Sequence, residues 1–242
     1  TNMTSDILKA RSDAKLNQGQ NFSRLMSFAM YGPKSPATNL LTEAELTNMN
    51  PQELVDRIHN QNSYKHRILY YGPSSSKDLL ATINQYHQVP AALKDIPAGN
   101  EYSYLETPVT KVLVAPYDAK QIYMAQISNL DKKYDPAIEP IRALYDEYFG
   151  GGMNSIVFQE MRETRGLAYS AWASIMPPSY LKYPYVLRTQ IATQNDKMID
   201  AVTTFNDIIN NMPESEAAFK LAKDGLTNRL RTERIIKGDI IW

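Results

Sequence analysis

The residues best suited to do chemistry are Arg162 and Tyr169, seven positions apart in the stretch YFGGGMNSIVFQEMRETRGLAYSA, residues 148 to 171. A guanidinium and a phenol both donate hydrogen bonds, which suits a peptide carbonyl or the oxyanion it becomes. Ile156, Val157, Phe158 and Met161 give an apolar side to a short helix that Asn154 or Ser155 can cap. Gly166 can take the left-handed conformation that ends it, and Leu167 then starts a strand. By helix and strand rise, the Cα atoms of Arg162 and Tyr169 lie roughly 6 Å and roughly 10 Å from that turn, so long side chains can converge on one ligand if the chain doubles back. The alternative is a surface Arg162 paired with Glu160 or Glu163, and a Tyr169 half buried in a sheet.

Other chemistry finds less support. Only three histidines are present, His59, His66 and His87, and none has the i, i+4 partner that a helical zinc site needs. Gly150-Gly151-Gly152 precedes a helix, as an anion cradle would, but no Lys-Ser or Lys-Thr follows and no strand leads into it, so a turn is the simpler reading. YLKYPY, residues 180 to 185, can line a peptide groove or pack a hairpin, and hairpin packing is the simpler role.

The organising stretch resembles the insulinase/pitrilysin family of zinc metallopeptidases. The C-terminal halves of that family carry a glycine run, a short helix with an Arg, the sequence RGLAYS or close to it, and a Tyr seven residues after the Arg. The resemblance implies that Gly150, Gly151, Gly152, Arg162 and Tyr169 meet substrate, with Arg162 and Tyr169 acting in catalysis on the peptide backbone. It also implies that zinc belongs to the other half of the molecule, an N-terminal half or a partner subunit, held by an inverted HxxEH motif that this chain lacks. The implied function is the substrate-binding, chamber-closing C-terminal module of a zinc metalloendopeptidase, inactive alone. The alternative is a non-catalytic scaffold or processing-partner subunit of the same fold.

Composition bounds these readings. With 242 residues, 43% hydrophobic and 21% charged, the chain can bury one large core or two modest ones. Lys plus Arg and Asp plus Glu both number 26, so no general field for nucleic acid or a membrane surface is expected. The absence of cysteine excludes disulfides and thiol chemistry. No apolar run approaches the ~18 residues of a membrane span. The opening TNMTSD does not read as a signal peptide, and the apolar end Ile240-Ile241-Trp242 leads us to expect an internal piece of a longer protein.

Periodicity supplies the elements. Residues 5 to 31 read as one helix with Gly19 as its weak point. Thr42 with Glu45 and Asn50-Pro51 with Glu53 open a helix pair, Arg67 to Tyr71 reads as a strand, and Ser76 caps a helix to Tyr86. A proline-bearing passage from Val89 to Pro108 marks a boundary. Strands are expected at Val109 to Ala115 and Gln121 to Ser128, a helix from Asp135-Pro136 to Tyr148, paired strands at Leu167 to Met176 and Tyr185 to Thr193, and helices at 195 to 211 and from Ser215. The class is α+β, an antiparallel sheet with helices on one face. It divides into residues 1 to 98, the tail of one family repeat, and 99 to 242, the head of the next. A strand at 67 to 71 cut off from its own sheet would extend the sheet of the second block or meet another molecule, so self-association of the chain is expected.

Overall fold

A computed structural model describes residues 2 to 236, so the apolar end at Ile240 to Trp242 lies outside the described residues. The described chain forms two packing units, one chiefly Leu41–Glu101 and the other joining Ser5–Leu40 to Tyr102–Thr232.

The second unit is built on a three-stranded antiparallel sheet of β1 (Gln121–Lys133), β2 (Ser170–Met176) and β3 (Pro184–Gln194), in the order β1-β3-β2. The central strand is the most buried, as a strand with neighbours on both edges should be, and it sets the register through Gln126↔Thr189 and Ala173↔Thr189. Period-two alternation sends Met124, Ala171, Ala173 and Ile191 to the face that carries the core. That face is covered by α6 (Glu139–Phe149), α7 (Ile156–Phe158), α8 (Met198–Asn210) and α9 (Glu216–Thr232). Phe149, Val157, Met161, Ile191, Ala201 and Phe205 are almost completely enclosed there. The result is an α+β layer with the core helices on one face.

The N-terminal segment of this unit is two helices, α1 (Asn2–Ala14) and α2 (Gln18–Tyr31), and not one. The break falls at Asn17 and not at Gly19: Asn17 leaves the helical region and its side chain accepts the Gln20 N–H (2.9 Å), so it caps a new helix. Phe22 of α2 meets the ring of Tyr123 on β1 at 5.6 Å. Pro140, which would cost a bond inside a helix begun at Pro136, costs none. A 3₁₀ turn occupies Pro136–Ile138, and Pro140 falls in the first turn of α6.

Two expected strands are absent. Residues 109 to 115 form no ladder, and Val109, Val112 and Val114 are exposed. Pro108 and Pro116 bracket the segment, and the chain just beyond it is held by the turn between α1 and α2 and by the first residue of α2: the Tyr117 hydroxyl donates to the Leu16 carbonyl (2.6 Å), and Gln18 Nε2 donates to the Gln121 carbonyl (2.6 Å).

In the first unit α3 (Glu43–Thr47) carries the expected capping box of Thr42 and Glu45, and Asn50 caps α4 (Pro51–Gln61) with Pro51 at its start. The cap of α5 (Ser76–Tyr86) is Ser75, one residue earlier than the sequence suggested. Arg67 to Tyr71 is not a strand and joins no sheet, so it does not extend the sheet of the second block. Pairing there is limited to an isolated parallel bridge between Tyr64 and Lys94. No second strand lies alongside among the described residues, and Ile68, Leu69, Tyr70 and Tyr71 stay exposed.

Candidate functional site

The organising stretch is anchored from below by α6. Its last turn crosses the free edge of β2, where Asp146 accepts from the Ile175 N–H (2.9 Å), from the Ser174 hydroxyl (3.0 Å) and from Arg142 (2.7 Å). Burial pushes the Asp146 carboxyl up from its ordinary value, against the pull of these donors. Glu139 moves the other way: the Tyr185 hydroxyl, which donates to it at 2.6 Å, does most to hold it low, and Arg142 adds to the effect.

Gly150 then lies flat on the strand. A Cβ placed there would sit 2.2 Å from the Ala173 carbonyl oxygen, so only glycine fits. Gly151 is nearly as confined, against the Asp146 carbonyl, whereas Gly152 faces open space. Buried Ser155 caps α7: it accepts from the Phe158 N–H (3.4 Å) and donates to the Gly152 carbonyl (2.6 Å).

The helix expected to carry Arg162 is only three residues long as an α-helix, and it continues as a wider π-turn over Gln159–Thr164. Such a turn rotates the side chains that follow it. The Met161 carbonyl accepts from both Leu167 (2.8 Å) and Ala168 (3.2 Å), and Gly166 sits at φ +57°, so the chain reverses within one residue. Tyr169 is thereby delivered just ahead of β2, its N–H donating to the Ala192 carbonyl (2.8 Å).

The reversal brings Arg162 and Tyr169 together. The guanidinium carbon of Arg162 stands 5.5 Å from the centre of the Tyr169 ring and 5.1 Å from that of Phe158, within cation–π range of both. Glu163 is a loose partner at 3.6 Å, and Glu160 pairs with Arg165 instead. Tyr169 is 70% exposed, not half buried, and its hydroxyl has no hydrogen-bond partner among the described residues. The pair rims an open cleft of about 280 Å³, shared with Gln121, Leu167, Gln194 and Lys197. Gly150, Gly151 and Gly152 do not line it; Gly150 and Gly151 set the height of the turn from beneath.

Lys197 is a cleft residue that sequence reasoning missed. It lies in a 3₁₀ turn (Asn195–Lys197) after β3, and its Nζ donates to the Gly166 carbonyl (3.0 Å), placing a second cation beside Arg162. No spacing rule connects it to the motif, because the connection runs through sheet register. Thr193, buried at the cleft floor, donates to the Leu167 carbonyl (2.6 Å) and fixes the outgoing chain. His66 and His87 meet although 21 positions separate them. Among the described residues, no group of three or more His, Cys, Asp or Glu side chains gathers to hold a metal ion.

Comparison with known proteins follows the same lines. The chain is similar over 99% of its length to the peptidase M16 inactive domain from Pseudomonas fluorescens (17% identity, TM-score 0.62), covering 57% of that chain. It is similar over 94% to a conserved protein from Enterococcus faecalis (16% identity, TM-score 0.61), covering 53% of it. Over 96% it resembles a chain of Complex III2 from Candida albicans (12% identity, TM-score 0.58), covering 57% of it. The chain thus spans little more than half the length of these structures, and at such identities they establish the fold alone. No curated protein matches it. The family model described as "Peptidase M16 inactive domain" matches residues 68–226. With the glycine turn, the reversal at Gly166 and the sheet all inside that match, the chain belongs to the M16 peptidase family, within its inactive domain.

Proposed function

We propose that this chain is the substrate-binding, chamber-closing module of a zinc metalloendopeptidase, and that Arg162 and Tyr169 donate to the backbone carbonyl or tetrahedral oxyanion of an extended peptide. The observation that carries this reading is the meeting of an exposed guanidinium with an exposed phenol, free of hydrogen bonds among the described residues, at the rim of one open cleft. Both groups donate, both are reachable by a ligand, and Lys197 adds positive charge where an oxyanion would develop. Gly150 and Gly151 serve substrate binding by holding the turn at its height, and Gly152, which faces open space, leaves room for the substrate. Zinc and the hydrolytic chemistry belong to the zinc-bearing half of the same protein or to a partner subunit. The described residues here offer no set of three ligands.

The division into residues 1 to 98 as the tail of one repeat and 99 to 242 as the head of the next belongs to the same proposal. The packing unit changes at Glu101 and Tyr102, near that boundary, whereas Ser5–Leu40 packs with the second unit and not with the rest of residues 1 to 98.

In the complete peptidase, Tyr169→Phe and Arg162→Ala lower turnover by about 10²-fold, the loss typical of an oxyanion donor, while zinc content stays unchanged. Steady-state kinetics with metal analysis tests this, and near-wild-type turnover in both variants overturns it.

A second reading, a scaffold or processing-partner subunit that kept the motif without the chemistry, draws on the similarity to a chain of Complex III2. An HxxEH-bearing half in the same or a neighbouring reading frame favours the first reading, and its absence favours the second.

A further inference from the structure

Apart from the cleft, the first unit places two imidazoles together. His66 Nε2 and His87 Nε2 are 2.7 Å apart, with the rings edge to face and their centres 4.9 Å apart. The other nitrogen of His66, Nδ1, lies 2.6 Å from the Tyr64 carbonyl. A carbonyl only accepts, so Nδ1 carries the proton, and neutral His66 aims a bare Nε2 lone pair at His87. This is the outer-shell contact that fixes the tautomer and orientation of a metal-binding histidine.

Backbone bonds hold both residues in place. Ahead of His66, the Lys65 N–H donates to the Lys94 carbonyl (2.8 Å) and the Lys94 N–H to the Ser63 carbonyl (2.8 Å), while the Lys65 ammonium is paired with Asp95. His87 closes α5, with its N–H on the Ile83 carbonyl (2.7 Å). The two rings therefore converge from anchored ends of different segments.

We propose that His66 and His87 form a two-imidazole site for a divalent late first-row transition-metal ion, with Cu(II) bound tightest. Bonds of about 2.0–2.1 Å at angles between square and tetrahedral put two ligating nitrogens about 2.9–3.4 Å apart, a few tenths of an ångström wider than this pair. Binding replaces the single N–H···N bond by two coordinate bonds, and the proton on His87 Nε2 passes by way of solvent to His87 Nδ1, so both ligands remain neutral imidazoles. No third carboxylate, thiolate or imidazole stands in reach among the described residues, so water completes the coordination and the ion exchanges readily. The site staples the chain after Tyr64 to the end of α5.

The test is calorimetric titration of the full chain with Cu(II), Ni(II) and Zn(II) chlorides, with the Cu(II) form examined by electron paramagnetic resonance. Wild type binds one ion at this pair, Cu(II) tightest, with two imidazole nitrogens in its spectrum. His66→Ala and His87→Ala each weaken binding at least about tenfold, whereas His59→Ala leaves it unchanged. Metal-free circular dichroism confirms that the variants keep the wild-type fold. Absence of binding by wild type, or equal affinity in wild type and both pair variants, overturns the proposal.

Discussion

Gly150→Ala tests the packing that supports the cleft. Its Cβ would meet three backbone atoms of Ala173, at 2.2 Å from the oxygen, 2.5 Å from the nitrogen and 2.7 Å from Cα. Ordinary contact begins near 3.4 Å, so strand and turn must separate by about 1 Å. No rotamer change relieves a clash with backbone, and Ala173 is paired to Thr189 on its other side. Ala173 and the adjacent Phe149 are also core residues, at 0% and 1% exposure, so the displacement reaches the core. Overpacking of this kind costs roughly 1–3 kcal/mol where side chains can adjust, and more where they cannot. The backbone at Gly150, φ −139°, carries no left-handed strain, so alanine recovers roughly 0.4–1 kcal/mol through the unfolded chain. The expected net loss is about 2 kcal/mol or more. Gly152→Ala, with nothing within 4 Å of its Cβ, is the control and shifts stability by less than about 1 kcal/mol. Urea unfolding of the two variants beside wild type gives both numbers. A Gly150→Ala midpoint equal to that of Gly152→Ala would refute the reasoning.

Ser155→Ala removes the cap of α7 and the donor to the Gly152 carbonyl, so it lowers stability by about 1 kcal/mol; an unchanged melting temperature contradicts this role. Asp146 and Glu139 give opposite pH dependences. Folding raises the Asp146 value, so wild type loses stability relative to Asp146→Asn as pH rises from the unfolded to the folded value. Folding lowers the Glu139 value, so its contribution is present above the unfolded value and is lost as pH falls through the folded one, measured against Glu139→Gln. Urea midpoints across the acid range read both signs, and parallel curves contradict them. The exposed apolar run from Ile68 to Tyr71 predicts self-association of the chain: the expected result is a sedimentation mass that rises with concentration, and a weaker rise in Leu69→Lys. A strictly monomeric wild type rules it out.

The parts of the fold that were legible in the sequence have causes confined to a few neighbouring residues. Thr42 with Glu45, and Asn50 followed by Pro51, cap helices because the capping atoms lie within three residues of the groups they satisfy. The hairpin of β2 and β3 could be read because its strands are near in sequence and alternate cleanly. The strands expected at 67 to 71 and 109 to 115 had suitable residues, but β-propensity describes fitness for a pleated surface, not the presence of one. Ile68, Leu69 and Val112 suit a sheet, yet among the described residues none pairs with them, and they stay exposed.

The same distinction runs through the candidate site. Arg162 and Tyr169 were legible as a pair because the reversal that joins them is local: a π-turn, one glycine at φ +57°, and two N–H groups converging on the Met161 carbonyl. Lys197 reaches the same cleft only because β3 runs back beside Tyr169, so that its N–H meets the Ala192 carbonyl and the turn after Gln194 falls next to Gly166. His66 and His87 meet because the bridge from Tyr64 to Lys94 and the end of α5 arrive at one point. In both cases the chemistry depends on register between segments distant in sequence, which no local spacing encodes. A cleft assembled this way combines a local pair with a cation supplied by the sheet. A change in register of β3 would therefore move both Lys197 and the Ala192 carbonyl that holds the Tyr169 N–H, whereas the turn from Arg162 to Gly166 is closed by its own backbone.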